Sequence, residues 1–500
     1  MGKLKDIVFG TAACALVLSA CSDSGSNAEA EYDSDIIGQS SSSIEGAVSE
    51  IPMSSLGFPT EYSSAGIGLS SEMISLSSAS FDSAYFGEII PVSSGLEILS
   101  SSSFDSRPMS SGMEPPRGSS GVEPPRSSSS IEPPQSSTSV PPPQFQSKYI
   151  VGADISRFQE YESYGTRIFD VDGTEKDIFT LLRDHGFNAI RLKTFLSPKA
   201  AYGYAAPGCG QDSEAFGDKE HVVAYAQKVK KAGFTFLLDI HYSDVWADPD
   251  TQIIPERWRG VQSADAMADS VYAYTYDLMN SLKQVNALPD MVQVGNEITN
   301  GMLRDLPTSN TNCWGDNVQL APNSVNGVMN KQLNPNGIAN TAKYLAAGSR
   351  AVKAFETSSH KIKTVFHIES PQNATTVNWW MNSIIKTEKV SPDVMAFSAY
   401  TAYQHGSPDT WKSLMSSLAS SYPSLEFLIA EYNGGTGKNI YGYDGSRAKT
   451  HQIMEQVPRG LGAFFWEPAS YGEWGSALMD WDGNTLKANP KAFDEYKVLF

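Results

Sequence analysis

The sequence predicts an α/β fold, a (β/α)8 TIM barrel preceded by a disordered low-complexity linker, and three observations carry that expectation. From Tyr149 onward, short apolar runs alternate with amphipathic stretches, the mark of repeated strand–helix units. Eight such runs fit within about 350 residues, the size of one large barrel. Nearly every run ends on polar or aromatic residues, as strands do where their loops converge on one barrel mouth.

Taken in order, the chain begins with an export signal over residues 1–20. Lys3 and Lys5 make a basic start, an apolar core runs from Ile7 to Leu18, and Leu18-Ser19-Ala20-Cys21 follows. The apolar run is too short for a stable membrane-spanning helix. Small residues before a cysteine resemble the lipobox of bacterial lipoproteins, in which Cys21 would be acylated and become the mature N-terminus. An ordinary cleaved signal with an incidental cysteine is the alternative. Both readings export the protein, either as an outer-membrane or cell-surface lipoprotein held by its lipid or as a secreted chain.

Residues 21–147 are rich in Ser, Gly and Pro, and a nine-residue repeat closes them: Glu114-Pro115-Pro116-Arg117, Glu123-Pro124-Pro125-Arg126, Glu132-Pro133-Pro134-Gln135, Pro141-Pro142-Pro143-Gln144. Consecutive prolines impose extended polyproline geometry, and Ser-rich spacers bury too little apolar surface to offset the entropy of ordering. This is a linker; a recognition segment for a proline-binding partner is the other reading. All nine tryptophans lie beyond it, so residues 148–500 form the packed domain. A net charge of −19 repels phosphate backbones, which argues against nucleic acid and leaves a neutral polymer open.

The eight predicted strands are Ile150 to Ile155, Ala189 to Lys193, Thr235 to Ile240, Met291 to Gly295, Lys363 to Ile368, Val394 to Ala399, Glu426 to Ala430 and Gly462 to Trp466, with helices such as His221 to Ala232 and Thr341 to Phe355 between them. The connections Trp246 to Val261 and Arg304 to Ile338 are longer than structure alone needs and suit the walls of a cleft. The strand ends carry Asp154, Arg191, Asp239 with His241, Asn296 with Glu297, His367, Ser398 with Tyr400 and then His405, Glu431, and Trp466 with Glu467. Glu297 and Glu431 stand out, because paired carboxylates flanking a sugar bond are the apparatus of glycoside hydrolysis. In an oxidising compartment Cys209 and Cys313 remain as a pair in two loops, and bridged and free states both stay open. Asp244, Asp248 and Asp250 have no EF-hand spacing, so no metal or other cofactor is indicated.

Asp239-Ile240-His241-Tyr242-Ser243-Asp244-Val245-Trp246-Ala247-Asp248-Pro249, followed by Gln252, Pro255 and Trp258, resembles the signature of glycoside hydrolase family 53, the endo-β-1,4-galactanases. Val292-Gln293-Val294-Gly295-Asn296-Glu297-Ile298, Gly152-Ala153-Asp154, Ile190-Arg191-Leu192, His405-Gly406 and Phe465-Trp466-Glu467-Pro468 match as well. The resemblance covers about 149–500 and implies a retaining barrel enzyme acting on the β-1,4-galactan side chains of pectin. It implies that Glu297 is the acid/base and Glu431 the nucleophile. It also implies substrate-binding roles for Asp154, Arg191, His241, Trp246, Asn296, Tyr400, His405 and Trp466, with Arg191 also holding Glu431. Trp258 is a further candidate platform, with a core role as its alternative. Some members of the family bind calcium in a late loop, which no motif here indicates; the expected partners are the polysaccharide, met by a monomer, and the membrane through the N-terminal lipid anchor. Departures occur at Arg304-Asp305, where the family shows Trp-Pro, at Thr401-Ala402, and after Glu431. Activity on mannan or glucan, or a non-catalytic glycan-binding lipoprotein, are the alternatives.

Overall fold

The computed structural model describes residues 148–500 except 210–213, 310–311, 315–317, 324, 404, 435–445 and 471–475. The signal, Cys21 and the linker lie outside the described residues.

Eight parallel strands close into a barrel: β1 (Ile150–Asp154), β2 (Ala189–Thr194), β3 (Thr235–Ile240), β4 (Met291–Val294), β5 (Lys363–Glu369), β6 (Val394–Ser398), β7 (Glu426–Tyr432) and β8 (Gly460–Trp466), with β8 pairing back onto β1. These are the eight strands read from the sequence, with ends moved by at most two residues. The helices α1 (Phe158–Ser163) and α2 (Ile178–Asp184) follow β1. One main helix follows each later strand through β7: α3 (Lys219–Lys231), α4 (Ala264–Gln284), α5 (Gly337–Lys353), α6 (Ala374–Met381), α7 (Pro408–Ser421) and α8 (Ser446–Gln456). Local chemistry sets their ends. Asp218 caps α3 by accepting from the His221 N–H at 2.9 Å, and Lys228, Lys230 and Lys231 complement the negative end of its last turn. Ser263 caps α4, whose Met267, Val271, Leu278 and Leu282 recur at helical spacing and are fully buried.

The barrel interior has two storeys. Ala189, Leu237, Met291, Val365, Ala396, Leu428 and Phe464 form an apolar floor. Phe464 fills the space over Gly152, where a Cβ would lie 2.3 Å from its ring. Successive inward positions on a strand are two residues apart, so the next storey up holds Arg191, Asp239, Gln293, His367 and Ser398. By the same count β7 would present Ala430 and then Tyr432, leaving Glu431 to face the helices. A register shift prevents this: Phe397 pairs with Ile429 but Ser398 pairs with Glu431. This β-bulge turns Glu431 inward while Tyr432 packs outward against His451 and Tyr496.

The Tyr432 hydroxyl lies 2.7 Å from His451 Nε2, while His451 Nδ1 is 3.2 Å from the Ile150 carbonyl. Burial drives the pKa of His451 down to about 3. Its folded-state pKa lies below the unfolded value near 6.5, so the unfolded chain binds the extra proton. Stability from this group is complete above about pH 6.5 and is lost as pH falls towards 3, at up to about 1.4 kcal/mol per pH unit. Thermal unfolding of wild type and His451→Phe across that range should show a shallower slope in the variant.

The long loops build the barrel's upper wall. After β4, Gly301–Met302 pairs with Gly327–Val328, and Asp305–Pro307 with Leu320–Pro322. Cys209 in the loop after β2 is bonded to Cys313 in the loop after β4, with Cα atoms 5.2 Å apart. A crosslink spanning 104 residues restricts the unfolded chain, worth about 4–5 kcal/mol in the chain-entropy treatment. Trp258 is only 6 % exposed and packs against Tyr242 and Tyr274, so it belongs to the core rather than serving as a sugar platform. The short turn Glu256–Trp258 folds its indole back onto α4.

Candidate active site

Glu297 leaves β4 through a turn that its backbone has to be held in. Gly295 has φ 87°, Glu297 itself is left-handed at φ 47° and ψ 51°, and a short turn, Ile298–Asn300, follows. Such a conformation costs a non-glycine residue about 1–3 kcal/mol and persists only when its surroundings impose it. The Trp380 indole N–H donates to the Ile298 carbonyl at 3.1 Å and ties the turn to α6.

Glu431 stands across the mouth on the bulge of β7. Arg191 Nη2 is 2.8 Å from its Oε1, and the Tyr400 hydroxyl donates to its Oε2 at 2.8 Å. Arg191 is fully buried and bonds Asp154 Oδ2 at 2.7 Å, Asp239 Oδ2 at 2.8 Å and Asn296 Oδ1 at 3.0 Å. Burial opposes its charge, but Asp239, Glu431 and Asp154 outweigh that and raise its pKa. Burial likewise works against ionised Asp239, yet Arg191 and then His241 bring its carboxyl down to about 2. One guanidinium thus joins β1, β2, β3, β4 and β7, a task suited to its planar fork of donors.

The two glutamates have contrasting surroundings. Burial first, and then the Glu431 carboxylate, push Glu297 well above the usual range, with Glu369 and Asp248 adding to the effect. Ionising Glu297 would place a further negative charge among carboxylates. Glu431, by contrast, is met by donors. The Tyr400 hydroxyl is itself pushed well above its ordinary pKa by burial and by Glu431, so it stays a donor.

The structure brings the residues singled out in the sequence to one mouth but divides their duties. Asp154 accepts from Arg191 and from the Ser156 amide and is fully buried; Arg191 is fully buried too. Both therefore position Glu431 and its neighbours instead of touching substrate. The same correction applies to His241, whose Nδ1 accepts from the Ala247 N–H at 2.9 Å while Nε2 lies 3.0 Å from Asp239. All three point into the closed upper storey, where strand-end position alone does not lead to the cleft. Asn296 accepts through Oδ1 and donates one amide hydrogen to the Ala247 carbonyl at 2.8 Å, which leaves its second hydrogen for another acceptor. Trp246, His405 and Trp466 are partly exposed. Trp466 meets Tyr400 edge-on at 6.4 Å, and Trp246 packs on Phe195 and Tyr204.

Sequence reasoning assigned no role to Gln293, Lys193 or Glu467. Gln293 donates to Asn296 Oδ1 at 3.0 Å, and Lys193 is paired with Glu467 beneath the Trp466 ring. The period-two parity from Ala189 to Arg191 to Lys193 was the available signal. Arg304 is bound to Asp305, Pro249 and Asp250, so it braces the loop after β3. Asp248 accepts from the Asp250 N–H at 2.9 Å and the Thr251 hydroxyl at 2.8 Å, a closed turn. Among the described residues, no group of three His, Cys, Asp or Glu side chains is placed to hold a metal ion.

Comparison with known proteins places this geometry in context. The family model described as glycosyl hydrolase family 53 matches residues 150–499. An uncharacterized protein in the bgaB 5' region of Niallia circulans is 30% identical over 379 residues, covering 69% of this chain and 93% of that protein. An arabinogalactan endo-beta-1,4-galactanase of Cellvibrio japonicus is 27% identical over 341 residues, covering 64% and 80%. Among solved structures, a GH53 catalytic domain from Ignisphaera aggregans superposes with a TM-score of 0.54 at 25% identity, covering 72% of this chain and 98% of that one.

Proposed function

Since the chain belongs to glycosyl hydrolase family 53, we propose that it is an endo-acting β-1,4-galactanase that cleaves the galactan side chains of pectin with retention of configuration. The observation that carries the reading is the contrast between its two glutamates, one pushed towards its protonated form and the other held by Arg191 and Tyr400. Glu297 gives its proton to the glycosidic oxygen as Glu431 attacks the anomeric carbon, so the C–O bond to the leaving sugar breaks as the enzyme–sugar ester forms. Glu297, now ionised, takes a proton from water, and the water oxygen displaces Glu431. The free amide hydrogen of Asn296 faces the sugar's 2-hydroxyl, and Trp466 floors the ring on the non-reducing side of the cut. Trp246 and His405 line the cleft. Galactanase names among the relatives support the substrate.

The lipobox-like cysteine supports export as a lipoprotein anchored through Cys21, with residues 21–147 as a tether that lets a monomeric catalytic domain reach polymer away from the membrane. Membrane fractionation of wild type and Cys21→Ser tests the anchor; equal release of both into the soluble fraction would refute it.

The deciding assay is reducing-end release from linear β-1,4-galactan beside mannan, xylan and β-glucan. Short galacto-oligosaccharides from galactan alone are expected. Cleavage of another glycan would overturn the substrate, and binding without any cleavage would favour a glycan-binding lipoprotein.

A further inference from the structure

On the outer flank of the barrel lies a cavity of about 840 Å³ that the mechanism leaves unused. One wall is α6, where Trp379 remains 42 % exposed; the other is the segment before α5, where Leu333 remains 63 % exposed. None of Glu297, Glu431, Asn296 and Trp246 lines it, so it is not the catalytic cleft.

Both walls are held in place by the fold. Trp380 is fully buried and donates to the Ile298 carbonyl at 3.1 Å, which fixes α6 and turns its neighbour Trp379 outward. The opposite wall is a tight turn. The Leu333 and Asn334 amides donate to the Asn330 carbonyl at 3.1 and 3.0 Å, and the Gln332 amide donates to Asn330 Oδ1 at 2.9 Å. Buried Asn334 anchors that turn by donating to Asn326 Oδ1 at 2.8 Å. A ligand would meet a backbone already ordered, which lowers the entropy cost of binding.

The lining has the chemistry of a sugar site. An indole can stack on the C–H face of a hexose ring, while Asn300, Asn330, Lys331 and Gln332, all exposed, can bond its hydroxyls. The carboxylate in the lining, Asp305, is already paired with Arg304 at 2.9 Å, so a neutral ligand fits better than a cationic one. Position narrows the choice of sugar. Asn300 closes the turn that follows Glu297, so the cavity lies on the side of the barrel where the acid stands. Trp466 is on β8, across the barrel from β4. A polymer with its non-reducing part on Trp466 would leave the mouth on the side of the cavity.

We propose that this cavity is a second binding site for a β-1,4-galactan chain, which holds the polymer on the reducing side of the cut while the cleft works on it. The identity of the sugar rests on the galactanase reading; the site itself rests on Trp379 and the turn that faces it.

The test is affinity electrophoresis of the full chain through gels containing linear β-1,4-galactan or mannan, with Glu431→Gln present throughout so that the polymer is not cut. Trp379→Ala should raise the Kd for galactan about tenfold, the effect of one aromatic anchor, and Gln332→Ala about threefold. Gln332 is exposed, so its effect does not come from misfolding. In Trp466→Ala, which weakens the cleft, retardation should persist, and adding Trp379→Ala should remove most of what remains. Kd values unmoved by both Trp379→Ala and Gln332→Ala overturn the inference. A Trp379 effect in mannan gels but not in galactan gels would keep the site and overturn the galactan reading; a Trp466 effect on galactan without a Trp379 effect would do the reverse. Mobility that depends on Trp379 and on protein concentration, or on an added peptide of residues 112–135, with no response to either glycan, would overturn the inference in favour of a second copy or of the chain's own proline repeat.

Discussion

Glu431→Gln should lower galactan hydrolysis by about 10⁴-fold or more, the scale expected when a covalent nucleophile is lost, while galactan binding persists. The amide keeps the shape and the Tyr400 contact but cannot form the glycosyl ester. The stereochemistry of rescue adds a sharper reading. In Glu431→Gly, azide would enter the vacated space and attack the anomeric carbon from that face, giving the α-galactosyl azide. In Glu297→Gly, azide would replace water in the second step and give the β product. An enzyme variant lacking Glu431 that still cleaves galactan, or that yields the β-azide, would contradict the assignment of roles.

Arg191→Met should destabilise the barrel by about 3–5 kcal/mol, because it leaves Asp154, Asp239 and Glu431 buried without their shared counter-charge. Urea unfolding at neutral pH measures the loss. The gap should narrow in acid: the Asp239 pKa is depressed to about 2, so its contribution is complete above about pH 4 and fades as pH falls to 2. Arg191→Lys should recover only part of the stability, since an ammonium cannot span acceptors drawn from four other strands. A methionine variant as stable as wild type would mean that the carboxylates had taken up protons at little cost.

Much of this was legible in the chain. The strands announce themselves because each is buried on both faces and reads as a short β-branched or aliphatic run between amphipathic helices. Glu297 and Glu431 were found as acidic ends of such runs. The depth of Asp154, Arg191 and His241 was not, because a polar residue at a strand end reads alike whether it faces the cleft or the closed storey beneath it. Tertiary packing decides, as it does for Trp258, which sits in a polar loop yet is claimed by Tyr242 and Tyr274. The Asn296–His367–Ser398 bonds were beyond reach too, since they join groups from β4, β5 and β6.

The extra residue in β7 gives the barrel a phase, like a one-letter insertion in a reading frame. Suppose a half-barrel exchange kept these letters but let β7 run in regular register against β6, so that Ser398 met Ala430. Every ladder could form, hydrophobicity would be unchanged and both glutamates would stand at their strand ends, yet the second would be turned towards α8. Counting catalytic letters would pass such a chimera as complete. Following the ladder would reject it, because Glu431 faces inward only where it meets Ser398, so the bulge is the part that such a graft has to carry across.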